Sequence, residues 1–119
     1  MEKRRFPRFE VELKIEARGQ GRESVFGRTM NFSRDGLKAV FDRFEFKTNT
    51  PLELIVQKPD SSENITASAE PLWIVALGDK YNVGFQFRSF APEDKIEILE
   101  YAYSNWVKEK TSIKRCWNI

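Results

Sequence analysis

From Phe9 to Arg18 apolar and polar residues alternate without exception: Phe9, Val11, Leu13, Ile15 and Ala17 hold one parity, and Glu10, Glu12, Lys14, Glu16 and Arg18 the other. A period of two puts the two sets on opposite faces of an extended chain, so the run predicts a strand with one buried and one wet face. Such a strand needs a sheet to bury against, and the following residues supply it. Gly19 and Gly21 mark a turn, after which a second strand of about eight residues runs from Glu23 through Val25, Phe26 and Met30. A third begins after Gly36 with Leu37, Ala39 and Phe41 on one parity. In a fourth, Leu52, Leu54 and Val56 alternate with Glu53, Ile55 and Gln57 before the turn residues Pro59-Asp60-Ser61-Ser62.

The fifth apolar segment, Ile65 to Leu77, places Ile65, Ala67, Ala69, Trp73, Val75 and Leu77 on one parity with Pro71 interrupting it. Proline has no N–H to give a ladder, so Pro71 implies a sheet edge or a bulge. Gly78 and Asp79 turn the chain into a sixth strand, where Tyr81, Val83, Phe85 and Phe87 alternate with Asn82, Gly84, Gln86 and Arg88. The period then lengthens. Pro92 suits a first helical position, Glu93 and Asp94 suit the positive helix start, and Ile96, Leu99, Tyr103 and Trp106 recur at helical spacing. Lys108 and Lys110 suit the negative end of that helix. Short strands joined by tight turns and followed by one helix predict a mainly β fold: a six-stranded antiparallel β-barrel with a C-terminal α-helix packed on it. The expected organisation is an N-terminal arm at 1–8, barrel and helix at 9–110, and a short tail at 111–119.

The residue inventory narrows the chemistry. The chain has 119 residues, enough for one core of its own. It contains no histidine, and so lacks the commonest general base and transition-metal ligand. The single cysteine, Cys116, has no companion for a disulfide or a metal site, which fits a reducing, cytoplasmic setting. No catalytic residue, metal ligand or cofactor is expected. No apolar run approaches the length of about eighteen residues that a membrane span needs. A net charge of +2 provides no strong overall field for DNA or RNA, so any anion site is local. The first residues provide such a locality, with Lys3, Arg4, Arg5 and Arg8 close together.

Two short motifs flank the first hairpin. Arg4-Arg5-Phe6-Pro7-Arg8 contains two arginines four positions apart, and Asn31-Phe32-Ser33-Arg34-Asp35-Gly36 reads Asn-x-Ser-x-x-Gly. Their order and placement resemble the signature of the PilZ family: an RxxxR sequence before the first barrel strand and a [D/N]xSxxG sequence after the second. Tyr81-Asn82-Val83-Gly84-Phe85-Gln86-Phe87 is similar to that family's last strand, and the closing helix agrees. The resemblance implies a receptor for cyclic di-GMP and no enzymatic activity. In it, Arg4 and Arg8 hold guanine and phosphate, and Arg5 adds a phosphate or stacking contact. Asn31 and Ser33 meet the guanine edge, and Gly36 shapes the turn. Arginine suits such a ligand because its planar fork pairs with phosphate oxygens or with guanine O6 and N7 while its flat face stacks on a base.

Ordering a loose arm costs about 1–2 kcal/mol per residue, comparable to what its contacts gain. Residues 1–8 are therefore expected to be mobile without ligand and to fold over the barrel mouth on binding, changing the surface seen by a downstream protein partner. A monomer or homodimer without membrane insertion is expected. Two other functions fit the residues: an interaction module of the same fold that binds no nucleotide, and a barrel for single-stranded nucleic acid. Trp73, Phe85 and Phe87 are assigned to packing, since aromatic residues in alternating strands mostly form core.

Overall fold

The computed structural model describes residues 9–58 and 61–117, with side chains as far as Ser104. The first alternating run forms strand in two pieces, β1 (Phe9–Glu10) and β2 (Lys14–Arg18). Both pair antiparallel with β3 (Ser24–Phe32), Glu10 opposite Asn31 and Lys14 opposite Arg28. Between them the Val11 N–H still donates to the Met30 carbonyl at 3.2 Å and the Thr29 N–H to the Leu13 carbonyl at 2.9 Å, and a side chain serves the two backbone groups that remain. The Leu13 N–H donates to Thr29 Oγ1 at 2.8 Å, and that hydroxyl donates to the Val11 carbonyl oxygen at 2.6 Å. Val11 and Leu13 stay buried, so the inward parity survives the break.

The remaining strands are β4 (Gly36–Phe41), β5 (Leu52–Gln57), β6 (Asn64–Leu77) and β7 (Lys80–Phe90). Their order around the sheet is β3-β2-β5-β6-β7-β4, and β4 returns to pair with β3. Every pairing is antiparallel, and the return closes a six-stranded barrel. The interior is filled by alternate residues of each strand, among them Ile15, Phe32, Phe41, Leu54, Val56 and Val83, all at 2% exposure or less. Phe44, from the β4–β5 connection, packs against Phe41 and Phe85 with ring centroids 5.0 and 5.9 Å away.

β6 departs from the simple alternation. Ile65, Ala67, Ala69 and Pro71 face inward, but the register to β7 shifts between Pro71 and Trp73. Leu72 is the extra residue. A bulge of one residue reverses the parity beyond it, so Trp73, Val75 and Leu77 turn outward while Ile74 packs against the core. Trp73 is therefore an outer-face residue and not part of the interior to which its parity assigned it. Pro71 also lies where β6 has passed its last partner in β5, Ala69 opposite Leu52, so its missing N–H costs no ladder bond on that side.

The helix α1 (Pro92–Trp117) begins where expected and carries Glu93 and Asp94 in its first turn. It continues through the segment at 111–117 that was expected to be tail. Its buried stripe is Ile98 and Ala102, both fully covered, with Leu99 partly covered. Ile96 and Tyr103 are each 53% exposed, so the contact face is rotated by about one residue from the expected 96–99–103–106 line. The side chain of Trp106 lies outside the described residues. Tyr103 meets Phe9 edge to face at 6.0 Å, linking the helix to β1.

Candidate functional site

The Asn-x-Ser-x-x-Gly motif spans the end of β3, a three-residue bend and the start of β4. The bend is tight because Ser33 and Gly36 are bonded across it. The Ser33 N–H donates to the Gly36 carbonyl at 2.9 Å, and its hydroxyl reaches the same oxygen at 3.3 Å. The Asp35 carbonyl accepts from the Phe87 N–H at 2.8 Å, fastening the bend to β7. Beneath it lie Phe32, Phe87 and Phe90, whose centroids are 4.9 to 5.9 Å apart.

Gly36 has a definite steric reason. A β-carbon there would stand 2.0 Å from the Phe85 carbonyl oxygen, inside the space that β4 and β7 need in order to pair. Its backbone is not left-handed, Gly78 being the glycine with positive φ. What the missing β-carbon permits here is close approach to the neighbouring strand.

Asn31 projects from the outer face of β3, since Phe32 beside it is buried. Its Oδ1 is buried and, among the described residues, has no hydrogen-bond partner. A buried acceptor left unmatched costs about 1–3 kcal/mol. A donor brought by a ligand would recover that cost. Ser33 is 5% exposed and lies two residues on, bonded to Gly36, so the three motif residues sit at one end of the β3–β4 pair. Arg4, Arg5 and Arg8, with the arm at 1–8, lie outside the described residues.

Two lysines that the sequence did not single out stand at this turn. Lys95, in the first turns of α1, donates to the Arg34 carbonyl at 2.7 Å and lies 5.3 and 5.8 Å from the Phe87 and Phe90 centroids. Lys38 faces Asn31 across the β3–β4 pair. Strand register places Lys38 and the packing of the helix places Lys95; nothing in their local sequence marks them. A hollow of about 1330 Å³, open to solvent, is bordered by Glu10, Arg28, Met30, Val40 and Lys80. None of the three motif residues lines it.

Among the described residues no group of His, Cys, Asp and Glu side chains is disposed to hold a metal, and no helix is long and apolar enough to cross a membrane. A family model for the PilZ domain matches residues 2–104. No curated protein sequence matches the chain. Among solved structures, the chain is similar to the Bacillus subtilis inhibitor of motility, MotI/DgrA, at 18% identity and TM-score 0.76, covering 91% of this chain and 53% of that one. It is similar to the Escherichia coli YcgR PilZ domain, solved with c-di-GMP, at 14% identity and TM-score 0.73, covering 93% and 98%. It is also similar to the K. pneumonia MrkH–c-di-GMP complex, at 15% identity and TM-score 0.73, covering 92% and 54%. The chain thus spans about half the length of MotI/DgrA and MrkH, and what it shares with all three is the fold.

Proposed function

Because the chain belongs to the PilZ domain family, we propose that it is a cytoplasmic receptor for cyclic di-GMP that acts through a protein partner and catalyses no reaction. The observation that carries this reading is the buried, partnerless Oδ1 of Asn31 beside Ser33 on the motif bend. Guanine carries an N2–H₂ donor that such an acceptor can receive, while its O6 and N7 remain for an arginine fork. The solved relatives YcgR and MrkH carry c-di-GMP in their complexes, which supports the choice of ligand.

Chain connectivity bounds the reach of the arginines. Phe9 pairs with Phe32 and Glu10 with Asn31, so the arm at 1–8 is rooted beside the motif. Arg8 is one Cα–Cα step, about 3.8 Å, from Phe9, and Arg4 is within about 18 Å along the chain. Charge-assisted bonds contribute about 1.5–3 kcal/mol each and stacking about 1–3 kcal/mol per base. Fixing an arm residue costs about 1–2 kcal/mol. These terms are comparable, so nucleotide binding and the conformation of the arm are coupled, and the arm presents a different surface to a partner when the ligand is bound.

Titration calorimetry with cyclic di-GMP tests the receptor role. Saturable binding that Arg8→Ala and Asn31→Ala each weaken, with melting temperature little changed, is the expected result. Absence of heat and of any thermal shift would leave an interaction module that binds no nucleotide. Hydrogen exchange tests the coupling: equal exchange at 1–8 with and without ligand would remove it.

A further inference from the structure

β6 outruns its neighbour. Its last partner in β5 is Leu52, opposite Ala69, and the Asn49 N–H takes the Pro71 carbonyl at 2.8 Å. From there to Leu77 it pairs with β7 alone, and among the described residues no strand lies on its other side. Which backbone groups face that open side follows from β7. The Phe87 N–H points away from β6, toward the start of β4, where it meets the Asp35 carbonyl. Backbone groups alternate in direction along a strand, so Gln86, Gly84, Asn82 and Lys80 turn theirs toward β6. Trp73, Val75 and Leu77, opposite Gly84, Asn82 and Lys80, are therefore bonded to β7. Ile74 and Ala76 present both N–H and C=O to the open edge. The Pro71 carbonyl, opposite Phe85 and bonded outward to Asn49, has the parity that this assignment requires.

We propose that this edge pairs with the same edge of a second copy of the chain, antiparallel about a two-fold axis at Val75. In that register Ile74 of one copy faces Ala76 of the other, so each open N–H meets an open carbonyl. Val75 faces its own mate, and Trp73 faces Leu77. Leu72, Val75 and Leu77 are exposed, an apolar surface that the pairing covers. The charge pattern selects the occupant. Antiparallel self-pairing sets the residues of one segment against each other, so a charge at the axis would meet its like. Leu72-Trp73-Ile74-Val75-Ala76-Leu77 holds neither a charge nor a proline. Free edges are ordinarily guarded by lysine, proline or a bulge. Here Pro71 and the Leu72 bulge stand at the entrance of the stretch and leave the rest bare.

The two-fold arrangement consumes both edges, so the assembly stops at two copies. Six residues a side span about 20 Å and bury less than the roughly 1,200–2,000 Å² of a standard stable interface. The dimer is accordingly reversible. It uses none of the motif residues and does not depend on the cyclic di-GMP reading.

Sedimentation equilibrium of the nucleotide-free chain from micromolar to millimolar concentration tests this, with Val75→Lys and Ala76→Pro alongside. Lysine at 75 sets two ammonium groups against each other at the axis, and proline at 76 removes an outward N–H without breaking a bond to β7. The expected result is a monomer–dimer equilibrium in the unaltered chain, weakened about tenfold or more by each substitution, with the circular dichroism of the dilute chain unchanged. In a Cys116→Ser chain, Val75→Cys cross-links two copies under mild oxidation, because residues paired at the axis have Cα atoms about 4.5 Å apart, within disulfide reach. Leu77→Cys, which faces Trp73 of the other copy, does not. Should either of the first two substitutions prevent folding, the cysteine pair decides. A chain that stays monomeric throughout, a species larger than two, a dimer indifferent to Val75→Lys and Ala76→Pro, or cross-linking at 77 as strong as at 75 overturns the inference and leaves the receptor reading standing.

Discussion

The hydroxyl of Thr29 donates to the carbonyl of Val11 across 2.6 Å while accepting from the Leu13 N–H, at a side chain only 2% exposed. One oxygen thus serves two backbone groups where the first strand run divides into β1 and β2. Thr29→Val keeps the shape but leaves both groups unmatched, and should cost about 3 kcal/mol. Thr29→Ser keeps both bonds and loses one methyl, costing about 1 kcal/mol. Urea denaturation of the two variants should separate them clearly; equal losses would mean that the methyl and not the hydroxyl matters.

A second prediction concerns β4 and β7. Gly36→Ala inserts a carbon 2.0 Å from the Phe85 carbonyl oxygen, where the obstacle is backbone and cannot rotate away. The strands must separate, at a cost of about 3 kcal/mol. Thermal denaturation should show a clearly lowered Tm, and Gly36→Val a further fall. An unchanged Tm would show that the pairing has more room than the register implies.

Glu16 gives the fold a dependence on pH. The Ser24 hydroxyl donates to its carboxylate at 2.6 Å and holds its pKa below the ordinary 4.5; burial opposes the shift and Arg18 assists it. A carboxyl whose pKa is lower folded than unfolded stabilises the fold above the unfolded value, and that contribution disappears as pH falls through the folded value. Ser24→Ala should therefore lose stability at neutral pH and much less in acid below the carboxylate range. Denaturation midpoints against pH would show the two curves converging; parallel curves would contradict the assignment.

Lys95 ties the helix to the motif bend through the Arg34 carbonyl. Lys95→Met keeps the stem over Phe87 and Phe90 and removes the donor. The expected result is a loss of about 1 kcal/mol and faster amide exchange in the bend at 33–36. Exchange unchanged there would mean that the bonds among Ser33, Gly36 and β7 hold the bend alone.

The order and kind of elements were legible because each strand alternates over a turn-bounded stretch and the helix changes the period. Leu52–Gln57 emerged with its expected bounds. The rest was hidden where one tertiary contact outweighs local pattern. Nothing in the run 9–18 shows that a hydroxyl from Thr29 interrupts it. Pro71 signalled a sheet edge or a bulge, but the position of the extra residue decides which side Trp73 takes, and that depends on β7. The helix phase was misplaced for a similar reason: Ile96 and Tyr103 look as apolar as Ile98 and Ala102, and only the barrel surface selects between them. Of the candidate site, Asn31, Ser33 and Gly36 were expected as contacts from their spacing and resemblance, whereas the position of Lys38 opposite Asn31 became visible only once β3 and β4 were set in register.

Leu72 has an influence out of proportion to its own contacts. Were that residue deleted, the hairpin end would be rewritten as though the chain had been rotated by half a turn: Ile74 would meet water, and the largest ring of the segment would compete for room already taken by Val83 and Phe85. A family member one residue shorter at this point would then offer incoming molecules an aliphatic wall instead of an aromatic one, with every neighbouring letter of its sequence left the same.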